Sequence, residues 1–148
     1  MVDIELLHKV VYVLLFLVFF ASTFVFVERI LFFTFSAPYE KKEFKMKLEE
    51  GEDKDYLFAS YISKLSRGKG FLMFSITSAP LLGLLGTVFG IMESFQTMAE
   101  RGISDIAMVS KGVAFALRAT ALGIVVALFS LAYYYVLNAL VKKHSILK

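Results

Sequence analysis

The stretch Ala79–Met92, Ala-Pro-Leu-Leu-Gly-Leu-Leu-Gly-Thr-Val-Phe-Gly-Ile-Met, constrains this chain more than any other. It is apolar enough to belong to a membrane span, yet it holds three glycines and a single hydroxyl where a lipid-facing helix would hold leucines. At helical spacing Gly83, Thr87 and Gly90 share one face, which Ala79 and Ser94 extend. A face so small lets another backbone approach closely, and a lone hydroxyl within it needs a partner, water or an ion path. The segment therefore reads as a tightly packed helix of a membrane assembly with one polar group at its seam.

Three apolar segments stand out, about Val10–Phe35, Phe71–Met98 and Ile106–Val141, each longer than the roughly 20 residues that cross a bilayer. With 58% hydrophobic residues, this predicts an all-α integral membrane protein of three transmembrane helices that extend into the cytoplasm. The expected division is residues 1–35 for the N-terminal segment and first span, and 36–70 for a short cytoplasmic helical region. Residues 71–98 form the second span, 99–105 a periplasmic loop, 106–141 the third span and 142–148 a cytoplasmic tail. The first segment does not read as a cleavable signal peptide, being too long and preceded by acids at Asp3 and Glu5. In residues 36–70, Phe44 and Leu48, then Leu57, Tyr61 and Leu65, suggest two short amphipathic helices about a turn at Gly51. Pro80 is expected to kink or loosen the second helix.

Basic residues set the orientation. Arg29, Lys41, Lys42, Lys45, Lys47, Lys54, Lys64, Arg67 and Lys69 crowd the first loop, and Lys142, Lys143 and Lys148 the tail, against Arg101 in the second loop. The positive-inside rule then puts the N-terminus and the second loop outside and the first loop and the C-terminus inside. The formal charge of +3 comes from these loops and gives no sign of nucleic-acid binding. Without cysteine, and with only His8 and His144 near opposite ends, no metal site or cofactor is expected, and no nucleophile–base pair suggests an enzyme.

The loop between the second and third segments is short, with its tip near Gly102–Ile103, so the two helices are expected to be antiparallel neighbours. Thr87 and Thr120 then lie equally far from the tip and at one depth. Gly112, Ala116, Ala119, Gly123, Ala127 and Ser130 repeat the small-residue pattern on the third helix, as Ala79, Gly83, Gly86 and Gly90 do on the second. The small faces are expected to meet neighbours or a pore, and the bulky faces lipid or the first helix. A membrane threonine often bonds only its own i−4 carbonyl. Two at matched depth in two small stripes favour a polar pathway. Arg118 lies opposite the Thr120 stripe and reads as a snorkelling side chain, with a pair to Glu93 as the sharper idea. No carboxylate shares the depth of Thr87 and Thr120, so a proton carrier must come from another chain.

The run Ile76-Thr-Ser-Ala-Pro-Leu-Leu-Gly-Leu-Leu-Gly-Thr-Val-Phe-Gly-Ile-Met-Glu-Ser-Phe95 resembles the signature of the ExbB/TolQ/MotA family of ion-driven motor subunits. Gly112-Val-Ala-Phe-Ala-Leu-Arg-Ala-Thr-Ala-Leu-Gly-Ile-Val-Val-Ala127 resembles its second motif, and Glu28-Arg29 is similar to a feature at the end of its first helix. The resemblance implies a homopentamer in the inner membrane of a Gram-negative bacterium. It further implies a pore holding an ExbD- or TolR-like single-span partner whose membrane aspartate is the missing titratable group, and a TonB- or TolA-like protein that receives the work. Thr87 and Thr120 match the threonines that face that aspartate. The chain departs from the pattern in its short cytoplasmic region, in Phe129 where a proline is usual and in Phe115 where some ExbB proteins have a glutamate. Leu-Leu-Gly-Leu-Leu-Gly-Thr-Val leans toward ExbB. A TolQ subunit of a Tol-Pal system, and a non-conducting membrane scaffold, are the other readings.

Overall fold

A computed structural model of the chain describes residues 4–102 and 106–145, so Ile103 of the expected hairpin tip lies outside the described residues. The described residues are helical almost throughout. Helix α1 (Ile4–Leu31) runs through one π-helical turn (Phe32–Ser36) into α2 (Ala37–Glu49); α3 (Lys54–Ser66), α4 (Lys69–Arg101) and α5 (Ile106–Ser145) follow. Three of the helical rods, the first formed by α1 and its continuation, are long and apolar enough to cross a membrane.

Local chemistry marks the breaks. Gly51, Gly68 and Gly102 take positive φ at the turn after α2, the start of α4 and the end of α4. That conformation costs glycine little and strains other residues. Asp53 caps α3 by accepting from the Asp55 N–H at 3.0 Å. The π-turn inserts an extra residue per turn and redirects the face that follows. Phe33, Ala37 and Phe44 thereby join Leu57, Tyr61 and Leu65 of α3 and Leu72, Leu137 and Val141 of the long helices in one core. Burial in this core, with the Glu40 charge added, pushes the Tyr61 phenol above its ordinary range. Leu48 stays exposed. Pro80 does not interrupt α4, which runs unbroken past it.

The α4–α5 hairpin dominates the architecture. The neighbours Ser94–Gly112, Gly83–Gly123 and Lys69–Asn138, the last hydrogen-bonded at 2.7 Å, mark one antiparallel register along its whole length. Helix α1 lies across it, tied by Ser22 donating to Ser75 Oγ at 2.9 Å and by Phe26 stacked on Tyr133 at 4.3 Å. Arg29 is 4% exposed; it donates to the Lys64 carbonyl at the end of α3 and to Glu28, and it lies over the Phe32 ring. It thus locks α1 to the base of the bundle.

A hydroxyl pair on a glycine seam

The two small-residue stripes face each other within one chain. A Cβ added at Gly83 would come 2.6 Å from the Ala119 carbonyl oxygen, and one at Gly123 2.5 Å from that of Ala79. Gly86 abuts Ala119 and Val11, and Gly90 abuts Ala116 and His8. Ala79, Ala116 and Ala119 are fully buried, and Gly112 admits Ser94. Ala127 is half-buried and packs at the edge of the core formed by Val11, Leu15, Ala79 and Val126.

Of the two uses open to the small faces, a neighbour or a pore, the neighbour within the same chain takes them. The small stripes are spent on the intrachain seam, and α1 packs on its rim through Val11 and His8. Glycine lets the α4 and α5 backbones touch, which no bulky face permits, so the closest approach forms inside the hairpin. The bulky side chains, among them Leu81, Leu84, Leu85, Leu117, Leu122 and Leu128, are left exposed on the chain's surface.

Thr87 and Thr120 meet across this seam and their hydroxyls share a hydrogen bond. Thr87 Oγ1 also reaches the Ala116 carbonyl at 3.1 Å and the Gly83 carbonyl at 3.3 Å; Thr120 Oγ1 reaches the same Gly83 carbonyl at 3.3 Å. Thr87 is buried at 7% exposure, whereas Thr120 is half-buried at the edge of the seam. Two hydroxyl protons serve at least three acceptors, so the pair has two polarities. If Thr120 donates to Thr87 and Thr87 to the Ala116 carbonyl, Thr120 is left to accept from outside. If Thr87 donates to Thr120, Thr120 is free to donate outward.

The Glu93–Arg118 pair, the sharper of the two readings of Arg118, does not form. Glu93 faces His8, with Oε2 3.6 Å from Nδ1. Arg118 is exposed and lies over the ring of Phe115, one turn back on its own helix, at 5.5 Å. The two charges stand on a common cavity wall, and Arg118 reaches out to the surface because α5 turns it away from the seam. Among the described residues no cluster of three or more metal-ligating side chains occurs. Sequence reasoning passed over His8, which is 4% exposed. The signal was its helical spacing with Val11 and Leu15, which places it on the buried face of α1.

The same residues place the chain among known proteins. The MotA/TolQ/ExbB proton channel family model matches residues 39–147. The biopolymer transport protein ExbB of Helicobacter pylori (strain J99) is 34% identical over 121 residues, covering 82% of this chain and 72% of that protein. The ExbB proteins of Pseudomonas putida and Aquifex aeolicus are 42% and 46% identical over 78 and 67 residues. These stretches cover 53% and 45% of this chain, but only 24% and 43% of the two relatives' lengths. With a family model spanning most of its length and both threonines inside the matched region, the chain belongs to the MotA/TolQ/ExbB proton channel family.

Proposed function

We propose that this chain is an inner-membrane, multi-pass subunit of a proton-motive-force-driven motor of the ExbB–ExbD–TonB type, with its N-terminus in the periplasm and its C-terminus in the cytoplasm. Copies form a ring, read as a pentamer, around an ExbD- or TolR-like single-span helix. That helix brings the titratable carboxylate which this chain lacks at the level of its threonines. Proton flow past it drives a TonB-like protein and thereby energised transport at the outer membrane.

The observation that carries the reading is the Thr87–Thr120 pair and its two polarities. Thr120, at the edge of the seam, is the hydroxyl that meets a carboxyl group; Thr87 stands behind it and anchors it to the Ala116 carbonyl. An ionised partner accepts from Thr120, and a protonated partner donates to it. One reversal of the hydroxyl chain thus serves both states without moving a helix. Each hydrogen bond to the charged form stabilises it by about 1.5–3 kcal/mol, which keeps an ionised carboxylate tolerable in a low-dielectric pore.

The test is the double variant Thr87→Val, Thr120→Val, which keeps the side-chain shape and removes both hydroxyls. Oligomer yield and copurification of the single-span partner should persist while outer-membrane uptake fails, and Thr120→Ser should retain partial uptake. Normal coupling in the intact double-valine complex would sink the proton-path role and favour a scaffold. A TolA- and Pal-like set of copurifying partners in place of a TonB-like one would reassign the chain to a TolQ system.

A further inference from the structure

At the hairpin end, α1, α4 and α5 enclose a cavity of about 480 Å³ whose wall includes Ser94, Thr97, Lys111, Phe115 and Arg118. His8 and Glu93 line it too, and both also line an adjoining recess of about 220 Å³. The imidazole is wedged between the rings of Tyr12 at 5.1 Å and Phe115 at 5.5 Å. Its Nδ1 faces the Glu93 carboxylate, and its Nε2 is buried with no hydrogen-bond partner. Gly90 makes room for the ring, since a Cβ there would sit 3.1 Å from Cε1. Gly90 also abuts Ala116, whose carbonyl accepts from Thr87. The imidazole therefore stands about one helical turn of α4 from the hydroxyl pair.

A purely structural histidine satisfies both nitrogens when buried, because an orphaned polar atom is costly. Here one nitrogen meets a carboxylate and the other meets nothing among the described residues. Histidine is also the side chain best suited to passing protons near neutral pH. The charged and titratable groups around it are Lys9 and Tyr12 on α1, Glu93 on α4, and Lys111 and Arg118 on α5.

We propose that this cavity is the hydrated vestibule through which protons reach the Thr87–Thr120 pair, with Glu93 and His8 as the proton-transfer residues at its floor. The inference rests on the motor reading above. A proton taken from water by the Glu93 carboxylate passes to His8 Nδ1, and the proton on Nε2 leaves to a water on the Thr87 side. Tautomer exchange then resets the ring. One proton enters and one departs, and no other bond changes.

Two measurements on the assembled complex in membranes test this. The chain has no cysteine, so introduced thiols report without background. Ser94→Cys, Thr97→Cys and Ala114→Cys should react with a small, charged, membrane-impermeant methanethiosulfonate at least about tenfold faster than the lipid-facing Leu84→Cys and Leu122→Cys, because the hydrated thiolate is the reactive form. Equal rates overturn the vestibule. Glu93→Gln and His8→Gln keep hydrogen-bonding capacity but carry no transferable charge. Each should lower proton flux at least about tenfold with oligomer yield unchanged, within the range of a lost proton-transfer group. A merely structural His8 would tolerate glutamine. Unchanged flux in both variants overturns the relay, while the motor reading still stands or falls on the threonine variants. Should His8→Gln fail to assemble, Glu93→Gln, on the half-exposed side of the pair, decides alone.

Discussion

Adding one methyl group at Gly83 should destabilise the hairpin, and adding one at Gly70 should not. In Gly83→Ala the new Cβ would lie 2.6 Å from the Ala119 carbonyl oxygen and 3.0 Å from Thr120 Cα. Ordinary contact begins near 3.4 Å, so the first distance is about 0.8 Å short, and both obstacles are backbone that no rotamer change can move. The helices must part. Overpacking of this kind costs about 1–3 kcal/mol, and replacing a mid-helix glycine returns only about 0.5–1 kcal/mol. Parting also stretches the 3.1 Å bond from Thr87 to Ala116, at a further cost of about 0.5–1.5 kcal/mol. The net loss is about 0.5–4 kcal/mol, centred on about 2. At Gly70 nothing lies within 4 Å of the added atom, so Gly70→Ala should be neutral or stabilise by up to about 1 kcal/mol. Unfolding of the purified chain in mixed micelles at rising dodecyl sulfate fraction, followed by far-UV circular dichroism, reads both. The reasoning is refuted if Gly83→Ala unfolds with Gly70→Ala.

Two more outcomes are expected. With single cysteines at Thr97 and Lys143, an impermeant thiol reagent added outside intact spheroplasts should label position 97 and leave 143 unlabelled; the reverse pattern would invert the proposed orientation. Arg118→Lys should preserve assembly and coupling, since a lysine stem also carries its charge out past Phe115. Loss of coupling in Arg118→Lys would instead point to a bidentate partner on another chain.

Much of this structure was legible in the sequence because membrane helices obey few rules. Length and hydropathy located the three rods, and the short second loop gave the antiparallel pairing that brings Thr87 to Thr120. Glycine spacing shows that a backbone approaches without saying whose, so the choice between a neighbour and a pore needed the packing. Two things escaped. The π-turn at Phe32–Ser36 has no composition signal, as it follows from how Phe33 and Ala37 reach the α3 core. The Glu93–His8 contact joins residues far apart in sequence, and only the packing of α1 over Gly90 brings them together.

The glycine seam also bears on the order of events in synthesis. This close backbone contact forms between two consecutive helices of a single chain, so it closes by a unimolecular step whose yield does not depend on how much protein is made. In the proposed ring, copies would have to join through the exposed leucine and phenylalanine surfaces, where lipid tails compete on nearly equal terms. Dilution in the bilayer and lipid composition should therefore govern whether the proposed ring forms, while leaving each hairpin and its threonine pair intact.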